Sequence, residues 1–175
     1  MNDIIKAMLE RRSFRQFKPD MIPQETIDEI INAGLYAASG MNKQSSIIIS
    51  VTNKDFRDKL SKINGKIGGW QEEFDPFYGA PVILIVLTDK NCITKVYDGS
   101  LVMGNLMLAA DALGIGSCWI HRAKEEFEMP EYKELLKSLG IEGEYEGIGH
   151  CALGYPDMQK PQPPKRKENR VYYIK

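Results

Sequence analysis

Apolar residues recur along the chain in two spacings, which predict alternating helices and strands. A helical spacing of three to four positions occurs over residues 2–10, 22–39, 54–63, 96–113 and 129–140. Short apolar runs typical of strands occur over residues 46–52, 81–88, 114–120 and 144–156. The stretch 64–69, NGKIGG, predicts a turn. The run 81–88 is apolar on both faces, so we expect it in the middle of a sheet with helices on either side.

Composition limits the classes of protein that fit this pattern. The chain has 175 residues and a formal net charge of -1, with 43% hydrophobic and 27% charged residues. This length predicts one domain over residues 1–175. A near-neutral charge is unlike that of a protein that binds nucleic acid through phosphates. The longest apolar run, 80–88, is too short for a bilayer, and the N-terminus lacks the charge pattern of a secretory signal, so we expect a cytoplasmic protein without a membrane partner.

The cysteines and histidines do not indicate a metal centre or a disulfide framework. Cys92, Cys118 and Cys151 are an odd number, widely spaced and without a CxxC pair, so we interpret them as free thiols. His121 and His150 are the only imidazoles, and neither has a third ligand nearby at helical or hairpin spacing.

Two basic clusters stand out in this neutral chain. The first surrounds a serine near the N-terminus and consists of Arg11, Arg12, Ser13 and Arg15. Guanidinium groups bind phosphate in a bidentate way, and a hydroxyl can add a hydrogen bond. The alternative is an exposed helix end whose arginines pair with carboxylates such as Glu10 and Asp20. A second cationic group, residues 165–167, lies far along the chain, and two such groups suggest convergence on one anion.

Several common catalytic motifs are absent. The segment 114–121, GIGSCWIH, lies between a predicted helix and a strand but is not the GxGxxG fingerprint of dinucleotide-binding proteins. There is no GxSxG elbow and no P-loop, which excludes the serine-hydrolase, kinase and ATPase classes. The loop 38–44, ASGMNKQ, presents uncharged amides that can bind polar edges of a ligand.

The C-terminal tail changes in character after Tyr155. Residues 156–170 contain four prolines and a basic triplet, a composition typical of disorder, but the apolar segment VYYI follows at 171–174. A loose apolar ending would promote aggregation, so the tail is expected to dock. The sequence leaves open whether it wraps a partner subunit or packs back on its own domain.

The order of these motifs resembles that of the FMN-dependent nitroreductase family. The resemblance rests on RRSFRQF, AASGMNKQ, GIGSCWI and LGYP followed by the basic proline-rich tail, and it spans nearly the whole chain. It implies an α+β, three-layer fold in which a central mixed β-sheet is flanked by helices. It also implies an obligate homodimer with two FMN molecules in the interface. An extended C-terminal arm, residues 155–175, would pack on the partner.

The resemblance also implies roles for individual residues. Arg11, Arg12 and Ser13 match positions that hold the FMN phosphate and ribityl chain, and Arg15 matches the basic position near N1 and O2 of the isoalloxazine ring. A cation there stabilises the negative charge of reduced flavin. Lys165 and Arg166 match tail residues that close over the phosphate, with Lys167 left open.

Two further segments match positions close to the flavin ring. The loop that reaches the flavin from the other subunit is matched by Ser39, Gly40, Asn42 and Gln44. Backbone amides that approach flavin N5 are matched by Trp119, Ile120, His121 and Arg122. The chain departs from the family pattern at Ala38 and at residues 45–46, where proline and Pro-Trp are frequent, and at His121–Arg122, where glycine is frequent.

These roles imply an oxidoreductase with a ping-pong order of substrates. NADH or NADPH delivers hydride to flavin N5, and a small acceptor then takes the place of the nicotinamide. Nitroaromatics and quinones are the acceptors that the resemblance implies, and no catalytic side chain is assigned. His121 as a proton donor is the less favoured interpretation. One alternative is a protein that stores or senses FMN without turnover. Another is an interaction protein whose basic tail binds acidic partners.

Overall fold

A four-stranded β-sheet lies at the centre of the molecule, and the computed structural model describes all residues from 1 to 175. The strands are β1 (Ser46–Val51), β2 (Val82–Asp89), β3 (Gly116–Ile120) and β4 (Tyr145–Gly154), in the spatial order β1-β2-β4-β3. The helices are α1 (Asp3–Glu10), α2 (Gln24–Leu35), α3 (Lys54–Gly68), α4 (Lys95–Ala112), α5 (Ala123–Glu128) and α6 (Pro130–Ser138). None of these helices combines the length and the apolar character needed to cross a lipid bilayer.

Helices cover both faces of the sheet, which confirms the predicted α+β, three-layer fold. Strand β2 is the central strand, and every residue from Val82 to Thr88 is buried. Its side chains alternate between two cores, as the period of a strand requires. One core contains Ile83 and Ile85 together with residues of α3, α5 and α6. The other contains Val82 and Leu84 together with residues of α2 and α4. The prediction that this apolar run lies in mid-sheet is therefore confirmed.

The predicted mixed sheet is wrong in one respect, because all four strands pair antiparallel. For β1 and β2 the cause is the return path after α3. Ser61 Oγ donates to Asp75 Oδ1 at 2.6 Å, and Arg57 Nε donates to the Ala80 carbonyl at 3.0 Å. Residues 70–80 therefore run back along α3, and β2 begins at the end of the sheet where β1 ends. The only parallel pairing outside the named strands is an isolated bridge between Ser13 and Ser117.

Two local features between residues 64 and 128 differ from the expectations. One prediction is wrong, and one helix was not predicted. Residues 64–68 of the predicted turn form the last part of α3. Gly69, where φ is 71°, caps the C-terminal end of this helix. Asn64 does not form a local turn because its side chain is fully buried and hydrogen-bonded to distant residues. Helix α5 was not predicted, because its six residues, AKEEFE, carry four charges and a single large apolar side chain, Phe127.

The C-terminal tail docks over its first residues only. The Lys18 N–H donates to the Tyr155 carbonyl at 2.9 Å, and the Asp157 N–H donates to the Gln16 carbonyl at 3.0 Å. Residues 162–175 are exposed, and the segment 171–174 forms no strand within the chain. The alternative in which the whole tail packs back on its own domain is therefore not what the structure shows.

Asp75 is expected to make the stability of this return path depend on pH. Burial alone would raise the pKa of the Asp75 carboxyl, but hydrogen bonds from Ser61, Arg57 and the Gly79 N–H, with the Arg57 charge, hold it below its ordinary value. A carboxylate with a lowered folded-state pKa stabilises the fold above its unfolded value, and that contribution is lost as pH falls through the folded-state value. We predict that Asp75→Asn costs about 1–3 kcal/mol at pH 7.

The free energy of unfolding, measured by urea denaturation from pH 7 down to about pH 3, tests this prediction. The wild type should lose stability more steeply than Asp75→Asn below about pH 4, because only the wild type titrates this carboxylate. Glu72→Gln is the matched control, since Glu72 is an exposed carboxylate of the same loop. Equal slopes for the wild type and Asp75→Asn would contradict the assignment.

Candidate functional site

The arginine-rich segment is attached to the edge of the sheet next to β3. Ser13 pairs with Ser117 of β3, and the Phe14 N–H donates to the Ser117 carbonyl at 3.0 Å. Phe14 and Phe17 are buried in the core, so the backbone of residues 13–17 is fixed. Arg15 and Gln16, which lie between the two buried rings, are both exposed.

The arginines of this segment are not neutralised by carboxylates within the chain. Arg12 Nη1 donates to the Leu9 carbonyl at 2.8 Å, and Arg11 Nη1 lies 4.0 Å from Met107 Sδ. Arg12 Nε is buried without a hydrogen-bond partner. By contrast, Arg122 forms an ion pair with Glu125, at 3.0 Å. The alternative in which this cluster is an exposed helix end paired with neighbouring acids is therefore not what the structure shows.

The thiols near the arginine segment are unsuited to act as nucleophiles. Burial raises the pKa of the Cys118 thiol, and the opposing influence of the Arg15 charge and the Ser13 hydroxyl is smaller. Burial also raises the pKa of the Cys151 thiol. Both cysteines are free and remain protonated near neutral pH. This edge of the sheet can therefore bind an anion but offers no thiolate.

The loop that carries Ser39, Gly40, Asn42 and Gln44 is held by a carboxylate of α4. Asp98 Oδ1 accepts from the Gly40 N–H at 3.0 Å, and Asp98 Oδ2 accepts from Thr94 Oγ1 at 2.9 Å. Asp98 is only 3% exposed. Burial would raise the pKa of this carboxyl, but the donors from Gly40 and Thr94 outweigh burial and hold the pKa below its ordinary value. The carboxylate therefore stays ionised at neutral pH and anchors the loop.

The loop itself has an unusual backbone. Met41, Asn42 and Gln44 have φ values of 52°, 53° and 48°, in the left-handed region that favours glycine. The Gln44 N–H donates to Ser39 Oγ at 3.0 Å, and Gln44 Nε2 donates to Asn42 Oδ1 at 3.1 Å. Non-glycine residues in such conformations persist only where the surroundings hold them, and they concentrate at functional sites.

The end of β3 forms one wall of a cavity of about 570 Å³. Trp119 is half-buried, Ile120 is buried and His121 is exposed. Trp119 Nε1 is buried without a partner. The N–H groups of His121 and Arg122 donate to no backbone acceptor. The cavity is lined by Val96, Ser100, Trp119, His121, Arg122, Lys124, Glu125, Glu146, Gly147 and Ile148.

The candidate residues form separate groups within one chain. The arginine segment and β3 lie side by side. The loop, however, is fixed to Asp98 of α4, whereas Arg11 lies against Met107 of the same helix. Nine residues of α-helix separate these two anchor points by about 14 Å. Lys165 and Arg166 are exposed in the tail, and the ion pair of Lys165 is with Glu168, at 3.4 Å.

Sequence reasoning missed two groups of polar residues in the core. Asp98 was not singled out because it lies within the apolar pattern of α4. Thr94 precedes it by four residues, a spacing at which side chains meet on a helix. Asn64, Glu126 and His150 form a buried cluster, with His150 Nε2 at 2.7 Å from Glu126 Oε2. No local signal indicates this cluster, because its members come from three distant segments.

Several known proteins have similar sequences and folds. The crystal structure of a nitroreductase with bound FMN from Bacteroides fragilis has a TM-score of 0.86 and 26% identity, with 100% of each chain covered. FMN reductase (NAD(P)H) of Bacillus subtilis is 27% identical over 170 residues, which cover 81% of this chain and 66% of that protein. A Methanothermobacter thermautotrophicus protein is 30% identical over 122 residues, 67% of this chain and 60% of its own length.

The chain thus spans less than two thirds of the length of these two curated relatives. The family model described as the nitroreductase family matches residues 8–68 and 69–155. These ranges include the arginine segment, the loop anchored by Asp98 and the end of β3. Since the match covers most of the chain, and the fold and the order of the motifs agree with it, the chain belongs to the nitroreductase family.

Proposed function

We propose that this protein is an FMN-dependent oxidoreductase that uses NADH or NADPH to reduce small acceptors such as nitroaromatics or quinones. The observation that carries the proposal is the cluster of Arg11, Arg12 and Arg15, which has no carboxylate partner and is fixed beside β3. The similar Bacteroides fragilis nitroreductase holds FMN, and the similar Bacillus subtilis protein is an FMN reductase that uses NAD(P)H.

The residues of the arginine segment fit the phosphate of FMN. Arg12 Nε is a buried donor without an acceptor, and a phosphate oxygen is the kind of acceptor that a guanidinium binds in a bidentate way. We assign Arg11, Arg12 and Ser13 to the phosphate and ribityl chain, and Arg15 to the N1 and O2 side of the ring. FMN, when bound, supplies the redox chemistry by taking a hydride from the nicotinamide at N5 and passing it to the second substrate.

The remaining candidates would position the ring rather than react. Backbone donors at His121 and Arg122 have no backbone acceptor in the chain and are available to a ligand at the end of β3. Trp119 and Ile120 fix this segment against the sheet. We assign no general acid or base, because hydride transfer through a flavin requires none, and His121 is an exposed side chain of the cavity.

We also propose that the protein is a homodimer in which each loop with Ser39, Gly40, Asn42 and Gln44 serves the partner's flavin. The loop is anchored at Asp98 and Arg11 lies against Met107, and these two positions of α4 are about 14 Å apart. This separation supports the arrangement. Helix α1 has no buried residue, although its apolar side chains form one face. Large exposed apolar side chains cluster on the α1, α2 and α4 side of the sheet, namely Ile4, Ile5, Met8, Leu9, Leu35, Tyr36, Met41, Val96, Tyr97 and Leu101.

The exposed tail supports the same proposal. Residues 155–175 would form an arm that packs on the partner and brings Lys165 and Arg166, or Lys167, to a phosphate. Tyr172 and Ile174 are 84% and 104% exposed, which is unusual for large apolar residues in a monomer. The single domain over residues 1–175 belongs to this proposal. Location in the cytoplasm stays a prediction of the sequence.

The assignment of Arg11 predicts a loss of affinity that depends on the phosphate. Arg11→Ala should weaken FMN binding by about 10- to 150-fold, because a hydrogen bond to a charged group contributes about 1.5–3 kcal/mol. Its affinity for riboflavin, which lacks the phosphate, should not change. Arg15→Ala should weaken both ligands, because Arg15 is assigned to the ring. Isothermal titration with both flavins measures this difference.

Lys18→Ala is the matched control, since Lys18 is an exposed cation three residues after Arg15. It should bind both flavins as the wild type does. An equal loss of FMN and riboflavin in Arg11→Ala would contradict the phosphate assignment.

Turnover separates the oxidoreductase from its rivals. Under anaerobic conditions, NADH or NADPH should bleach the yellow purified protein, and a nitroaromatic or quinone should restore its colour. A yellow protein that neither nicotinamide bleaches would support FMN storage or sensing instead. Colourless protein that binds acidic partners with strong salt dependence would support the interaction protein.

The proposed interface predicts a specific effect of charge on α4. Leu101→Asp should convert a dimer into a monomer and reduce its FMN content, because it places a charge in the apolar face and removes the partner's loop. Leu139→Asp is the control, because Leu139 is similarly exposed, 52% against 50%, but follows α6 on the opposite side of the sheet. Mass in solution by light scattering measures both. A wild-type monomer, or equal effects of the two variants, would exclude this interface.

A further inference from the structure

A fully buried polar cluster lies behind the turn that joins β3 to α5. It consists of Asn64 of α3, Glu126 of α5 and His150 of β4, and each is 0% exposed. Asn64 Nδ2 donates to Glu126 Oε1 at 2.8 Å, and His150 Nε2 lies 2.7 Å from Glu126 Oε2. The three side chains therefore link three elements through one carboxylate.

The cluster is connected to the backbone of the turn at three points. Asn64 Nδ2 also donates to the His121 carbonyl at 2.8 Å. The Glu126 N–H donates to the Arg122 carbonyl at 3.0 Å. Ile120, the last residue of β3, pairs with His150 across the sheet. The carbonyl groups of residues 121 and 122 are thereby fixed from behind, while the N–H groups of the same residues have no backbone acceptor.

The turn is strained and needs this support. Arg122 has a φ of 84°, in the left-handed region, where a residue with a Cβ is disfavoured. Such a conformation persists only when the surroundings over-determine it. The start of α5 also lies in close contact with β4 at Gly147, where an added Cβ would lie 2.1 Å from the Ala123 carbonyl oxygen.

The cluster is also more polar than packing alone requires. Asn64 Oδ1 and both ring nitrogens of His150 are buried without hydrogen-bond partners, and so is Glu126 Oε2, which lies close to His150 Nε2 but not in hydrogen-bond geometry. Well-packed apolar residues often stabilise a core as well as a buried ion pair does, and incompletely bonded polar groups are costly. A cluster with this cost is best explained by the conformation that it imposes on its neighbours, and its neighbour is the turn.

We propose that Asn64, Glu126 and His150 form a positioning unit that holds the backbone N–H groups of His121 and Arg122 against the flavin ring and thereby sets the reduction potential of the flavin. The inference rests on the proposed function, because it takes FMN to bind at the end of β3. None of the three side chains is a catalytic residue, since each acts through the backbone of the turn. Oxidised flavin accepts a hydrogen bond at N5, whereas reduced flavin carries a hydrogen there, so donors fixed at N5 favour the oxidised form and lower the reduction potential.

The variant Asn64→Leu tests the unit, because it keeps the branched outline and the number of heavy atoms of the side chain and removes both hydrogen bonds. The ratio of affinities for reduced and oxidised FMN should rise about tenfold, which corresponds to a higher midpoint potential by about 30 mV for a two-electron couple. In FMN-free protein, hydrogen exchange of the Glu126 amide, which donates to the Arg122 carbonyl, should become about tenfold faster, because the turn is released. Spectroelectrochemistry and NMR measure these effects.

Asn105→Leu is the matched control. Asn105 Nδ2 likewise donates to a backbone carbonyl, that of Ala33, at 3.0 Å, but on the opposite side of the sheet. It should leave the midpoint potential and the exchange of the Glu126 amide unchanged. If Asn64→Leu does not fold, Glu126→Gln, which keeps the shape of the side chain, should change both readouts in the same direction by a smaller factor.

A further variant separates positioning from general stability. In Arg122→Gly the turn is no longer strained, because glycine adopts a φ of 84° readily. Adding Asn64→Leu to Arg122→Gly should therefore change the potential less than it does in the wild type. Unchanged potential and amide exchange in Asn64→Leu, with a stability loss like that of Asn105→Leu, would overturn the proposal. If no FMN binds, the proposed function fails, and the amide exchange still decides whether the cluster holds the turn.

Discussion

The structure depends on positive charge that is fixed at the edge of the sheet without a counter-charge. Burial of Phe14 and Phe17 and the pairing of Ser13 with Ser117 leave the arginine segment no freedom to move away from β3. Repulsion among Arg11, Arg12 and Arg15 therefore remains in the folded chain, and a bound anion relieves it. The whole chain has a near-neutral charge. The excess of positive charge in the arginine segment is therefore local and is not a general property of the protein surface.

The single chain holds only part of the site that its sequence motifs describe. The loop anchored by Asp98 and the arginine segment attach to opposite parts of α4, so one ligand of flavin size would have to extend along that helix to meet both. In the proposed homodimer, a second copy would supply the missing group. The exposed apolar residues of α1 and α4 and the exposed tail support this proposal. Under it, cofactor binding would depend on assembly.

The sequence predicted most elements, because apolar periodicity records which face of each element is buried. It identified β2 as the central strand and found α1, α2, α4 and α6 within a few residues. It failed where a residue takes its role from distant partners. Asn64 and Gly65 predict a turn locally, yet Asn64 is held inside α3 by Glu126 and the His121 carbonyl. Helix α5 escaped prediction because its position depends on close contact with Gly147, and not on an apolar stripe. The antiparallel pairing of β1 with β2 depends on the return path over residues 70–80, which the tertiary contacts of Asp75 hold, and the local sequence carries no signal for these contacts.

Two segments beside the candidate site have left-handed, non-glycine backbone, and a buried carboxylate supports each of them. Asp98 holds the loop through the Gly40 N–H, and Glu126 holds the β3–α5 turn through Asn64. A residue in such a conformation costs about 1–3 kcal/mol, so the fold gives up stability at both places. In each case the carboxylate lies behind the backbone and leaves polar groups of the segment free to face a ligand. This arrangement suits a protein in which the cofactor reacts and the chain contributes geometry. Precise placement of backbone donors, and not a titrating side chain, is then the part of catalysis that the sequence must encode.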